Sequence, residues 1–242
     1  MGLKPFLHAA LNFLFPPLCH ICRKFIPDAG PLHICPTCRE QLMSITSPLC
    51  VVCGVPYSGA GEDHICGNCI KSHHCFDAAR AALVYTGASR ELIHTFKYHN
   101  KTHLRRPLAF LTIERLSKFV ELQAPDLILP VPLHRKRLQK RGFNQAILLG
   151  EIFSSHWNIP LDRHNLRRIR WTEPQVNLSA GERRANVRGA FSIRNPEQIQ
   201  GRRVLLVDDV LTTGSTVEEC AQVLKSFGAV NVNVITVARA LV

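Results

Sequence analysis

The sequence predicts an α/β fold, a parallel sheet with helices on both faces, preceded by a small cysteine-bearing module. Three observations carry this. From residue 78 onward, short apolar runs alternate with segments of helical period, the pattern of strands joined by crossover helices. One run, Val204-Leu205-Leu206-Val207, reads as a strand buried on both faces and ends in Asp208-Asp209 and a turn of small residues. Eight of the ten cysteines fall between residues 19 and 69, in four Cys-x2-Cys pairs. A chain of 242 residues forms one large domain or two modest ones, and 46% apolar residues suffice for a packed core. No apolar run reaches the ~18 residues of a membrane-crossing helix.

In chain order, residues 1–16 come first. Leu3, Phe6, Leu7, Ala10, Leu11 and Leu14 fall on one helical face, which predicts an amphipathic helix docked on the protein. His8 and Asn12 interrupt the apolar stretch and no small-residue cleavage site follows, against a signal peptide. Residues 17–75 hold a tandem repeat. Pro17-Leu18-Cys19 returns as Pro48-Leu49-Cys50 and His33-Ile34-Cys35 as His64-Ile65-Cys66, both at an offset of 31. Each copy reads Cys-x2-Cys-x12-Cys-x2-Cys: Cys19, Cys22, Cys35 and Cys38, then Cys50, Cys53, Cys66 and Cys69. Two thiolates from each of two turns suit closed, tetrahedral, structural zinc, one ion per copy. Interleaving the first pair with the third and the second with the fourth is the alternative. So small a module, poor in apolar residues, draws much of its folding energy from metal. Turn-spaced thiols favour a metal over disulfides and fit a cytoplasmic setting. Cys75 and Cys220 stand outside the pairs as structural residues.

Residues 76–242 form the sheet domain. Ala78–Tyr85 reads as a strand, Ser89–Tyr98 as a helix with Leu92, Ile93 and Phe96 inward, and Leu104–Leu122 as a second helix with Pro107 near its start, where proline is tolerated. Leu127–Val131 is a strand that ends in a basic loop from Pro132 to Arg137. Phe143–Trp157 is an amphipathic helix. A long polar stretch containing Gln175, Arg183, Arg184, Asn186 and Phe191 reads as a loop able to act as a lid. Val204–Asp208 and Val232–Ala238 are buried strands, with a helix over Val217–Phe227 between them.

The chemistry concentrates where the Val204 strand ends. Ligands of open α/β sheets bind beyond the carboxyl ends of the strands. The segment Val210, Leu211, Thr212, Thr213, Gly214, Ser215 and Thr216 leads into a helix N-terminus, where free N–H groups and hydroxyls suit a phosphate. Asp208 and Asp209, just before it, suit sugar hydroxyls. Together they describe a ribose-5-phosphate site. The net charge of +12 is uneven: residues 134–188 hold twelve Lys/Arg against four acids, which points to a polyanion. Aromatics are scarce in that basic segment (Phe143, Phe153, Trp157, Trp171), so base stacking there is limited.

The order of four apolar residues, an acidic pair, small residues and Thr-Gly-x-Thr resembles the phosphoribosyl-pyrophosphate (PRPP) motif of type I phosphoribosyltransferases. The resemblance implies that Asp208 and Asp209 hold the ribose, that residues 210–216 hold the 5-phosphate, and that Mg²⁺ accompanies the pyrophosphate. It also implies a pyrophosphate loop with a strained or cis peptide near Leu133, His134 and Arg135, and a flexible loop bringing Arg183 and Arg184 to the ligand. Transferases acting on 6-oxopurines carry an acidic base where this chain has Thr212, which disfavours that reaction.

With the paired ribbons, Phe96-Lys97-Tyr98, Pro130-Val131-Pro132, Arg141-Gly142-Phe143-Asn144-Gln145 and Arg184-x-Asn186-Val187, the chain resembles the ComF family of competence and DNA-utilisation proteins over nearly its whole length. That implies a cytoplasmic protein handling single-stranded DNA during uptake, with competence-machinery proteins as partners. Whether PRPP is consumed by transfer to a nitrogenous base, or only bound and sensed, stays open at the level of sequence.

Overall fold

The computed structural model describes residues 16–27, 30–172 and 180–241. The helix expected at the N-terminus falls on residues 1–15, outside that set. Four parallel strands form the central sheet: β1 (Ala78–Val84), β2 (Leu127–Pro130), β5 (Arg203–Leu211) and β6 (Asn231–Arg239), in the order β1-β6-β5-β2. Alternation along β5 decides the two faces. Leu205 and Val207 enter one apolar cluster, Val204 and Leu206 the other.

Two short helices, α1 (Pro36–Glu40) and α2 (Gly67–Lys71), belong to the ribbons. On one face of the sheet lie α3 (Gly87–Tyr98), α4 (Arg105–Gln123) and α6 (Gln145–Trp157), which bury Phe96, Leu108 and Phe153. Thr86 opens α3 with a capping box to Ser89. Pro107 sits in the first turn of α4, where its missing N–H has no partner to lose. Helix α8 (Ser215–Ser226) covers the other face through Val217, Cys220, Ala221 and Leu224. Cys220 is fully buried there.

Three sequence expectations change. The basic segment after Pro132 is a helix, α5 (Arg135–Arg141), and not a loop. Its caps explain it: His134 Nδ1 accepts the Lys136 N–H, and Gly142 closes the last turn at φ +82°. The polar stretch before β5 is not one long loop either. It contains α7 (Ala180–Val187), which carries Arg183 and Arg184, and the strand β4 (Phe191–Ile193), paired antiparallel with β3 (Leu166–Arg168). Residues 173–179 of that stretch lie outside the described set. Third, the backbone at residues 133–135 has no cis peptide and no positive φ. The one cis bond among the described residues is Ser47–Pro48.

The tandem repeat is visible bond by bond. Cys19 N–H donates to Lys24 O and Cys50 N–H to Val55 O, Ile26 N–H to Pro17 O and Tyr57 N–H to Pro48 O, each pair 31 residues apart. At one left-handed position shared by both copies the residue differs, Arg23 (φ +62°) in the first and Gly54 (φ +72°) in the second. A Cβ on Gly54 would stand 2.4 Å from Ala79 O, because the second ribbon packs its backbone directly on β1. The segment between the ribbons runs along the same strand: Ile45 N–H donates to Ala82 O, and Val84 N–H to Met43 O.

Candidate functional site

Each ribbon gathers its own four cysteines, so the interleaved pairing does not form. Within each set all sulfurs lie within 4.8 Å of one another. Four thiolates ~2.3 Å from a tetrahedral zinc stand about 3.8 Å apart. Cys22 and Cys35 Sγ are 3.7 Å apart, and Cys53 and Cys66 Sγ 3.8 Å. Backbone N–H groups prepare the sulfurs for a cation: Cys35 donates to Cys19 Sγ, and Cys53 and Cys66 donate to Cys50 Sγ. Burial opposes ionisation of Cys19 and Cys50, yet these N–H donors bring both thiols down to about 6. Both donor sets therefore fit structural zinc.

The sheet carries a cleft of about 800 Å³ at the carboxyl ends of β2 and β5. Asp208 and Asp209 follow the fully buried run Val204–Val207 of β5 and both line the cleft. Asp209 is 6% exposed and pairs with Lys97 of α3, Nζ to Oδ1 at 2.8 Å. Burial works against the Lys97 ammonium, but Asp209 and then Asp208 hold it above the ordinary lysine value. Asp208 accepts the Asp209 N–H at 2.9 Å. Burial, and then the charge of Asp209, push Asp208 up to about 7, against the pull of Lys97. In the sequence Lys97 stands out only as part of a motif. Its pairing with Asp209 joins distant parts of the chain and leaves no local signal.

Beyond the carboxylates the strand runs on to Leu211, so Val210 and Leu211 belong to β5 and the turn proper is 212–214. Gly214 takes φ +79° at the N-cap of α8, a conformation that suits glycine. Among the described residues, none accepts a hydrogen bond from the backbone N–H of Thr212, Thr213, Gly214, Ser215 or Thr216. Thr212, Gly214, Ser215 and Thr216 line the cleft, while Thr213 Oγ1 is bonded to Ser215 Oγ at 2.9 Å. The loop thus presents unused donors at a helix N-terminus, the arrangement that holds an anion.

The opposite wall is basic. Of Leu133, His134 and Arg135, only Leu133 lines the cleft. Besides Lys97, the cations that line it are Lys136, Arg137, Lys140 and Arg141 of α5, with Arg168 at the end of β3. Arg168 Nη2 donates to Thr172 Oγ1 and its guanidinium lies over the Phe191 ring. His134 meets the edge of Trp171 instead. Two aromatic rings flank α5. Trp171, 37% exposed, has Lys136 Nζ and Arg137 Cζ 5.8 and 5.7 Å from its ring centre, and Tyr98, 62% exposed, has Arg141 Cζ at 5.0 Å. The expected shortage of aromatics is therefore relieved by the fold, since Tyr98 comes from outside the basic segment.

Residues 10–70 match the double zinc ribbon domain family, and residues 150–241 the phosphoribosyl transferase domain family. Competence protein F of Haemophilus influenzae is 39% identical over 153 residues, 62% of this chain and 67% of that protein. DNA utilization protein YhgH of Salmonella typhimurium is 38% identical over 161 residues, 65% of this chain and 70% of that one. Competence protein ComFC of Bacillus subtilis is 29% identical over 164 residues, 66% of this chain and 63% of that one. Among solved structures, adenine phosphoribosyltransferase from Saccharomyces cerevisiae overlaps 60% of this chain and 72% of its own at 14% identity and a TM-score of 0.38. The paired four-cysteine ribbons, the parallel sheet with its phosphoribosyl transferase domain match, and relatives covered over two thirds of their length place the chain in the ComF family of competence and DNA-utilisation proteins.

Proposed function

We propose that the cleft binds PRPP with Mg²⁺ and that the face formed by α5 handles single-stranded DNA, in a cytoplasmic role in DNA uptake alongside other competence proteins. One observation carries the first part: two carboxylates line a cleft beside five consecutive backbone N–H groups that no other described residue uses. Asp208 and Asp209 accept the ribose hydroxyls. The N–H groups of 212–216 and the Ser215 and Thr216 hydroxyls donate to the 5-phosphate. Magnesium travels with the pyrophosphate, whose remaining charge meets Lys136, Arg137 and Arg168. Arg183 and Arg184 of α7 supply further positive charge to the pyrophosphate. Leu133 meets the pyrophosphate from the cleft wall, and His134 and Arg135 act by capping and opening α5, the helix that carries the cations.

For the DNA, cations of α5 track the phosphates and bases stack on Trp171 and Tyr98, whose rings already carry cations. The names of the relatives, competence and DNA utilization proteins, agree with this use.

A second reading, transfer of ribose-5-phosphate to a nitrogenous base, draws on the size of the cleft. About 800 Å³ lies toward the upper end of small-molecule sites and leaves space beyond a sugar phosphate. In that reaction the C1–O bond to pyrophosphate breaks and a bond to the acceptor nitrogen forms, with the acceptor proton released to solvent, because Thr212 offers no base. Arg168 and the α5 cations stabilise the departing pyrophosphate.

Calorimetry with PRPP and Mg²⁺, repeated with a single-stranded oligonucleotide present, tests the proposal. Stoichiometric PRPP binding that disappears in Asp208→Asn with Asp209→Asn supports it. Absence of heat with PRPP removes the first part, and oligonucleotide affinity indifferent to salt removes the second. Pyrophosphate release that requires an acceptor base separates the transferase reading from binding alone.

A further inference from the structure

The two ribbons are alike in themselves and unlike in what they touch. The second is fastened to both ends of the loop 212–216. At the leading end, Leu211 pairs with Arg239 of β6, and Ala240 N–H donates to Leu211 O. The Arg239 guanidinium leaves the sheet for the ribbon: Nη1 donates to Cys53 O at 2.7 Å, and Nη2 stands 3.8 Å from Cys53 Sγ. Its Nε is buried without a hydrogen-bond partner among the described residues, so Cys53 is what holds this cation. At the trailing end, Glu218 in the first turn of α8 accepts the Cys75 N–H at 2.8 Å and pairs with His74 Nδ1 at 3.0 Å, on the strap leaving the second ribbon. The first ribbon is tied elsewhere. Arg39 pairs with Glu114 of α4 at 2.7 Å, and His20 packs on His103 at 5.2 Å.

We propose that the metal held by the second ribbon sets the phosphate loop of the cleft, through Arg239 and Glu218, and that the first ribbon's metal does not. The electrostatics favour such a link. Four thiolates around a divalent ion leave two net negative charges beside Arg239, a half-buried guanidinium. Order at Cys53 thereby fixes the end of β6 that borders Leu211. The strap fixes the first turn of α8 from the other side, and the five free N–H groups lie between. Any ligand these groups hold must in turn tighten metal binding at the second ribbon, because coupling between two binding sites is reciprocal, and the tighter site is expected to release its ion more slowly. That last arm alone rests on the phosphoribosyl reading of the cleft.

The test uses the full chain with zinc loaded at both sites. Zinc release to a chromogenic chelator is followed together with deuterium uptake in the peptides covering 211–218 and 127–130. Phases are assigned with Cys22→Ser, which removes the first metal. The expected result is that loss of the second zinc raises uptake at 211–218 several-fold and leaves β2 protected, while loss of the first leaves 211–218 unchanged. If removing the second metal unfolds the whole chain, β2 loses protection too. Arg239→Met with both metals bound then decides: faster release from the second site and raised uptake at 211–218 are expected, and parental values in both overturn the proposal. So does equal disturbance of 211–218 by either metal. PRPP with Mg²⁺ is expected to slow the second phase about fivefold or more and not the first. If calorimetry shows no PRPP binding while the exchange coupling persists, the reading of the cleft has failed and the link has not. If PRPP binds and slows both phases alike, or neither, the link has failed.

Discussion

At the scale of single residues, the cleft is held in a costly electrostatic state. The folded pKa of Asp208, about 7, stands above the ~3.9 of an unfolded aspartate. Stability associated with the protonated form is complete below about pH 4 and is lost as pH rises through 7. Asp208→Asn is accordingly expected to raise the melting temperature of the ligand-free protein most at pH 8, less at pH 5, and not at all below pH 4. A thermal scan across that range checks it, and the same variant should lose PRPP in calorimetry. Lys97 is the complementary case. Removing it leaves Asp209 buried beside a second carboxylate, so Lys97→Met is expected to cost about 3–5 kcal/mol in urea unfolding, with part recovered by adding Asp209→Asn. A destabilised carboxylate pair is common where a site is kept ready for a ligand.

At the scale of elements, α5 and its flanking rings divide the labour expected of a single-strand binder. Trp171→Ala and Tyr98→Ala should each weaken single-stranded oligonucleotide binding by about 1–3 kcal/mol without changing its salt slope. Neutralising Lys136 and Arg137 should instead flatten the slope of log K against log salt by about 0.7 for each phosphate that then goes unpaired. Fluorescence anisotropy at several salt concentrations distinguishes the two. The ribbons offer a paired test. Gly54→Ala puts a methyl into Ala79 O and is expected to lower the melting temperature, whereas Arg23→Ala, at the same left-handed turn of the first copy, meets no such wall. Calorimetric scans of both variants check the difference. These elements are unequally legible in the sequence. The β5 motif and the cysteine repeat announce themselves because their information is local: a strand, an acidic pair and a glycine turn within a few residues, or thiols at fixed spacing. Helix α5 hides because Leu138 is its lone apolar residue, so it has no amphipathic period and depends on its caps. Strands β3 and β4 are three residues each, too short to alternate visibly. The Lys97–Asp209 pair and the approach of Tyr98 to Arg141 are tertiary facts, legible only once α3 stands beside the end of β5 and beside α5.

At the scale of the whole molecule, the ribbons are part of the sheet's architecture. The core cluster on the α4 face includes Cys19, Ile26, Ile34 and Cys38 of the first ribbon, while Arg80 of β1 donates to Val51 O of the second. Stripping zinc is therefore expected to melt more than a small appendage. Circular dichroism during chelation should show loss of helix as well as of ribbon structure, where an independent module would leave the helical signal intact. The β1 margin of the sheet has a further consequence. Toward that border the Ala79 N–H donates to Val52 O of the second ribbon, and Ala82 O and the Val84 N–H pair with Ile45 and Met43 of the segment joining the ribbons. A chain shortened to begin after the cysteine repeat would bare that strand as an unpaired border, with apolar neighbours, and nothing in the remaining sequence would shield it. Such a fragment should stick to its own kind through backbone pairing, so the ribbons, whatever else they bind, keep that border from pairing with another copy.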